Sequence, residues 1–129
     1  MLGVHYIFFA DDLGMASIFP ALKKRLAARG HKHVSLIYCS VSSRHQFRKE
    51  LAILQKHFPA QLYISYHSEI LTGHWIFQQE DIEAVLNANT MQQTEFIISG
   101  NAVFVEKVKA VLTFLGIKDI QIQEQYFSE

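Results

Sequence analysis

Five short runs of nearly continuous apolar residues punctuate the chain: Val4 to Ala10, Val34 to Cys39, Leu62 to Tyr66, Phe96 to Ser99, and a more alternating one from Ile117 to Phe127. Runs of this length, rich in β-branched and aromatic residues, suit strands buried on both faces. Helical spacing fills the gaps. Ser17 is a candidate N-cap for a helix with Ile18, Leu22 and Leu26 on one face and Gly30 just past its end. From Ser43, the positions Phe47, Leu51, Leu54 and Phe58 recur until Pro59 stops the pattern; a shorter stretch, Gln79 to Leu86, carries Ile82, Val85 and Leu86. After Asn101, a second candidate cap, Val105, Val108, Val111, Leu112 and Leu115 form a stripe that ends at Gly116. Strand and helix therefore alternate. With right-handed crossovers, this predicts a doubly wound α/β fold: a five-stranded, mainly parallel sheet with helices on both faces. Ligands of such sheets bind outside the carboxyl ends of the strands, where strand order reverses. Functional residues are accordingly expected after Phe9, Tyr38, Tyr66 and Ile98.

Composition narrows the function classes. A chain of 129 residues, 50% hydrophobic, with no Pro-rich or Gly/Ser-rich run reads as one domain spanning residues 1–129. Twelve Lys+Arg balance twelve Asp+Glu, which removes the bulk attraction that a general nucleic-acid or anionic-membrane binder uses. Cys39 is the only cysteine; it excludes an intramolecular disulfide or a Cys-cluster zinc site and fits a reducing, cytoplasmic compartment. The run from Val4 to Ala10 is far shorter than a membrane span of about 20 residues. It also lacks a basic flank and runs into Asp11 and Asp12, so neither a signal peptide nor an anchor is expected. The seven histidines are scattered, without the spacing of a metal site.

Chemistry-bearing residues concentrate at the predicted strand ends. Asp11 and Asp12 follow the first strand, as the magnesium-binding acidic pair does in response-regulator receiver domains. A receiver also needs an aspartate ending its third strand and a lysine ending its fifth, and Tyr66-His67-Ser68 and Ile120-Gln121-Ile122-Gln123 stand there instead.

A second resemblance covers the chain from about His5 to Phe127. Ala10 to Ser17 lines up with an Ala-Gly-Gly-Thr-Gly-Ile-Ala-Pro loop. Leu36 to Cys39, followed by Ser42, Ser43, Arg44 and Phe47-Arg48-Lys49-Glu50-Leu51, lines up with a strand and a Phe-Arg-x-Glu-Leu helix. Gly73-His74-Trp75-Ile76 matches a Gly-Arg-Ile or Gly-His-Val segment. Ile98-Ser99-Gly100-Asn101-Ala102-Val103 takes the place of Cys-Gly-Pro-Pro-x-Met, and the chain finishes on Tyr126-Phe127. In these segments the chain resembles the NAD(P)-binding domain of the ferredoxin-NADP reductase superfamily. The resemblance implies an oxidoreductase module that holds NADH or NADPH across the carboxyl edge of the sheet and presents it for hydride transfer to a flavin. The family's flavin barrel lies N-terminal to this module, so FAD is expected only through a partner domain or protein.

Carried over residue by residue, the resemblance assigns Ser99 the catalytic position beside the transferring carbon and lets Gly14, Gly100 and Asn101 border the coenzyme. Ser42, Ser43, Arg44 and Arg48 would grip the adenosine end. Hydroxyls with a guanidinium fork favour a ribose 2′-phosphate, hence NADP over NAD; as an alternative, Ser43 is an N-cap and both arginines are solvated. Three departures stand out. Asp11, Asp12 and Leu13 replace the phosphate loop's Gly-Gly-Thr, and a carboxylate about 4 Å from a phosphate charge costs about 4 kcal/mol at an effective dielectric of ~20, against about 0.3–1 kcal/mol gained at a helix terminus. The repulsion is avoided if the side chains turn away or a divalent cation bridges them. Ser99 replaces a cysteine, and Asn101 and Ala102 replace two prolines. The alternative function is therefore a degenerate module of the same fold used for protein interaction or regulation. Tyr126 and Phe127 would stack on a flavin or pack at a contact of a homo-oligomer.

Overall fold

The computed structural model describes residues 4–28, 32–40, 45–68, 93–118 and 122–127. In chain order these form β1 (Val4–Ala10), α1 (Asp12–Ala27), β2 (Lys32–Ser40), α2 (Arg48–His57), β3 (Leu62–Ser68), β4 (Gln93–Asn101), α3 (Ala102–Phe114) and β5 (Ile122–Phe127). The predicted Gln79 to Leu86 helix and the Gly73 to Ile76 segment lie outside the described residues.

All five strands are parallel, in the order β3-β2-β1-β4-β5. The chain lays down β1, β2 and β3 in one direction, then returns to the other side of β1 for β4 and β5. The reversal falls between β1 and β4, with Ala10 opposite Ser99 and, on its other side, opposite Tyr38. Alternation along the strands sorts the core into two layers. Ile7, Phe9, Ile37, Phe96 and Ile98 pack under Phe104, Val105, Val108 and Leu112 of α3. Phe8, Leu36, Tyr38 and Ile97 meet Met15, Ile18 and Leu22 of α1 and Leu51 and Leu54 of α2. Helices thus cover both faces, and the doubly wound parallel fold expected from the sequence is the one observed.

Three boundaries differ from the pattern-based expectation. Helix α1 starts at Asp12, with Asp11 rather than Ser17 as its N-cap. Aspartate is among the strongest caps, and the acidic residue beside it complements the helix terminus, so the helix extends back to the strand. Helix α2 starts at Arg48 without a side-chain cap; Ser43 lies outside the described residues. The last apolar run is split. Gly116, at φ +89°, closes α3 in a Schellman motif, with the Gly116 and Ile117 amides donating to the Thr113 and Leu112 carbonyls. Ile117 then packs on the core and β5 begins only at Ile122. Asn101 caps α3 as expected, its Oδ1 accepting from the Phe104 amide at 2.9 Å. Pro20 lies inside α1, on its exposed side. Among the described residues no helix is long and apolar enough to cross a membrane.

Candidate functional site

At the reversal point the β1–α1 junction meets the end of β4. Asp11 sits between them, only 8% exposed. Its Oδ1 accepts from the Gly14 amide at 2.8 Å and its Oδ2 from the Asn101 amide at 2.9 Å. One carboxylate therefore serves the amino termini of α1 and α3 together, and its charge faces the positive ends of both helix dipoles. Backbone crowds in around it. A Cβ on Gly14 would lie 2.0 Å from the Ser99 carbonyl oxygen, and one on Gly100 would lie 2.5 Å from the Asp11 carboxylate. At Gly14, which meets main chain, only glycine is accepted at this separation, whereas a side chain at Gly100 would have to displace the Asp11 carboxylate.

Asp12 points the other way. Its Oδ1 accepts from the Tyr38 hydroxyl at 2.5 Å and its Oδ2 from Ser40 Oγ at 2.6 Å. Burial, reinforced by the hydrogen bond and the charge of Asp12, pushes the Tyr38 phenol well above its usual value. The two acidic side chains thus part, one to each side of the β1–α1 turn.

Ser99 is fully buried. Its hydroxyl lies 3.4 Å from the Gly14 carbonyl and 3.2 Å from Gln125 Oε1, which also accepts from Ser17 Oγ at 2.8 Å. Gln125 is not among the residues expected in the site; it is brought there because it stands opposite Ser99 in the β4–β5 register, a pairing set by the two strands together and not by a motif around Gln125. On the α3 side of β5, the Tyr126 hydroxyl contacts Glu124 at 2.6 Å and Glu106 at 2.9 Å, and Lys109 pairs with Glu124 at 3.0 Å. The donors Tyr126 and Lys109 hold the Glu124 carboxyl below its usual range, and the carboxylates hold the Tyr126 phenol above its own.

Across the tips of β2 and β3, the Arg48 guanidinium stacks over the Tyr66 ring, 4.0 Å from its centroid. His45 stands edge-on to Tyr38 and Tyr66, with centroids 4.6 and 5.0 Å away. Its Nε2 lies 3.0 Å from the His67 carbonyl, so Nε2 carries the proton, and its buried Nδ1 has no partner among the described residues. The expected adenosine-end residues Ser42, Ser43 and Arg44 lie outside the described residues; Arg48 is at the β2–β3 edge, and Gly14, Ser99, Gly100 and Asn101 are gathered at the β1–β4 edge. Among the described residues no group of three or more His, Cys, Asp or Glu is placed to hold a metal ion.

These geometries bear directly on the phosphate-loop question. The glycines allow close approach of the chain to itself, Gly14 to the Ser99 carbonyl and Gly100 to the Asp11 carboxylate. The Gly14 and Asn101 amides at the two helix termini, however, already have the Asp11 carboxylate as acceptor. With Asp11 in place, a pyrophosphate would compete with its carboxylate for those two amides.

No family model matches the sequence, and no curated protein matches it. Solved structures do. Ferredoxin-NADP+ reductase from Plasmodium falciparum superposes with a TM-score of 0.74 at 20% identity, over 96% of this chain and 53% of the reductase chain. The CS-b5R domains of human Ncb5or, in the NAD+ form, superpose at 0.76 with 15% identity over 93% of this chain and 36% of theirs. Flavohemoglobin from Malassezia yamatoensis, with bound FAD and heme, superposes at 0.76 with 16% identity over 98% of this chain and 32% of its own. The chain spans about half of the Plasmodium reductase and about a third of the other two. What is shared is the ferredoxin reductase-like α/β fold.

Proposed function

We propose that the chain is the pyridine-nucleotide-binding module of a ferredoxin reductase-like flavoenzyme, placing NAD(P)H for hydride transfer to a flavin carried by a partner domain. The observation that carries this reading is the contact of Gly14 with the Ser99 carbonyl. It joins the first strand-to-helix turn to the end of β4 at the point where strand order reverses, the place such sheets reserve for ligands. The fold shared with three reductase or FAD-bearing structures supports it. On this reading Gly14, Gly100 and Asn101 line the coenzyme's path, Ser99 lies beneath it, and Arg48 with Ser42, Ser43 and Arg44 serves the adenosine end.

A second reading is favoured by one observation, the double hydrogen bond of Asp11. A rim where Asp11 already occupies the Gly14 and Asn101 amides suits a degenerate module that contacts a partner protein instead. Calorimetric titration with NADH and NADPH, with and without magnesium, separates the two. Saturable heat with either nucleotide supports the first reading, and none at millimolar concentration in both buffers supports the second.

A further inference from the structure

We infer that Asp11 is a built-in substitute for a phosphate group, filling the anion site between α1 and α3 so that a pyrophosphate-bearing ligand gains those amides only by displacing it. This rests on the nucleotide-binding reading and concerns control of the same rim.

Three observations converge. The Asp11 carboxylate is 8% exposed and spends one oxygen on each helix terminus, Gly14 N at 2.8 Å and Asn101 N at 2.9 Å. Gly100 leaves room for that carboxylate and no more, since a Cβ there would stand 2.5 Å from Oδ1. Asp12 offers no relief, because its two oxygens accept from Tyr38 and Ser40 on the far side of the turn. All four carboxylate oxygens are thus engaged within the fold. Because the two side chains diverge to opposite sides of the turn, a divalent cation held by both would draw at least one away from its partners, so magnesium is not expected to restore binding. A phosphate arriving at the rim meets a fixed negative charge, and the Gly14 and Asn101 amides already have the Asp11 carboxylate as acceptor.

Removing the carboxylate should therefore create binding. Serine and glycine both serve as N-caps, so Asp11→Ser and Asp11→Gly keep the start of α1 while vacating the space beside Gly100. The probe is inorganic pyrophosphate, titrated by calorimetry into the unaltered chain and into both variants, each checked for a cooperative melt. The expected result is no saturable heat for the unaltered chain, with or without magnesium, and, for at least one variant in magnesium-free buffer, pyrophosphate affinity at least tenfold higher. Folded variants that bind pyrophosphate no better than the unaltered chain would overturn the inference, as would saturable binding to the unaltered chain at the variants' affinity. A pyrophosphate shift in melting temperature confined to the variants gives a second readout. NADH and NADPH are then titrated into the pyrophosphate-binding variant. Failure there would sink the nucleotide reading while leaving the role of Asp11 intact.

Discussion

The hydroxyl of Tyr38, at the end of β2, donates to the Asp12 carboxylate in the first turn of α1 across 2.5 Å. The ring itself is fully buried between the sheet and the helices, so this bond anchors the helix to the strand at the rim. Tyr38→Phe keeps the ring and removes the donor. A hydrogen bond to a charged group contributes about 1.5–3 kcal/mol, and urea unfolding of the variant should show a loss in that range.

The same pair gives an alkaline signature. The Tyr38 phenol is raised by burial first and by Asp12 second. A folded-state value above the unfolded one stabilises fully below the ordinary tyrosine value near 10 and is lost as pH rises through the folded value. Ultraviolet titration should find Tyr38 still protonated where free tyrosine has ionised. A Tyr38→Phe titration curve matching that of the unaltered chain, less one ordinary tyrosine, would contradict this.

Glu124 carries the acid counterpart. Its folded value is lowered by the hydrogen bonds from Tyr126 and Lys109, so its contribution is present above the unfolded glutamate value near 4.3 and disappears as pH falls through the folded one. The group is near solvent and the effect is small. Glu124→Gln should flatten the acid limb of the stability curve and, because the Glu124 carboxylate also raises the Tyr126 phenol, slightly flatten the alkaline limb as well, as followed by melting temperature against pH.

Glycine-to-alanine substitutions should rank by what the new methyl meets. Gly14→Ala drives it into the Ser99 backbone carbonyl at 2.0 Å, and neither main chain can yield without parting α1 from β4. Overpacking of this kind costs about 1–3 kcal/mol or more. Gly116→Ala has open space around it but a φ of +89°, which costs about 1–2 kcal/mol. Chemical denaturation should therefore place Gly14→Ala as the more damaging of the two.

Asn101→Ala should lose the side-chain bond to the Phe104 amide, costing about 0.5–2 kcal/mol. Asn101→Ser should recover most of it, since serine caps comparably. Equal melting temperatures for the two variants would show that the cap contributes nothing.

Much of this architecture was legible in the residue pattern. The four clean apolar runs became β1 to β4 because a strand covered on both faces has no polar side to interrupt it. Asn101 and Gly116 were readable as the two ends of α3, since each satisfies orphan backbone groups in a way few residues do. The start of α1 was misplaced because two capping residues, Asp11 and Ser17, lie within two turns, and only the contact with β4 decides between them. The site was readable only in part. Ser99, Gly100 and Gly14 converge as the strand order requires, but the bond from Asp11 to Asn101 spans 90 positions and depends on how β1 and β4 are registered. Gln125 enters the site by the same kind of long-range pairing, and His45 becomes enclosed only once β2 and β3 lie side by side.

Pro20 gives α1 an uneven grain. It sits about midway along the 16-residue helix on the solvent side and offers no amide to the carbonyl of Ala16. The ladder is thinnest just below the turns that carry Asp12 and Gly14. Those turns are secured from above, by the Asp11 carboxylate and the Tyr38 hydroxyl, more than by the coil beneath them. Amide exchange along α1 should accordingly divide at Pro20 into two populations, with the rim half slowed or freed by whatever happens to Asp11.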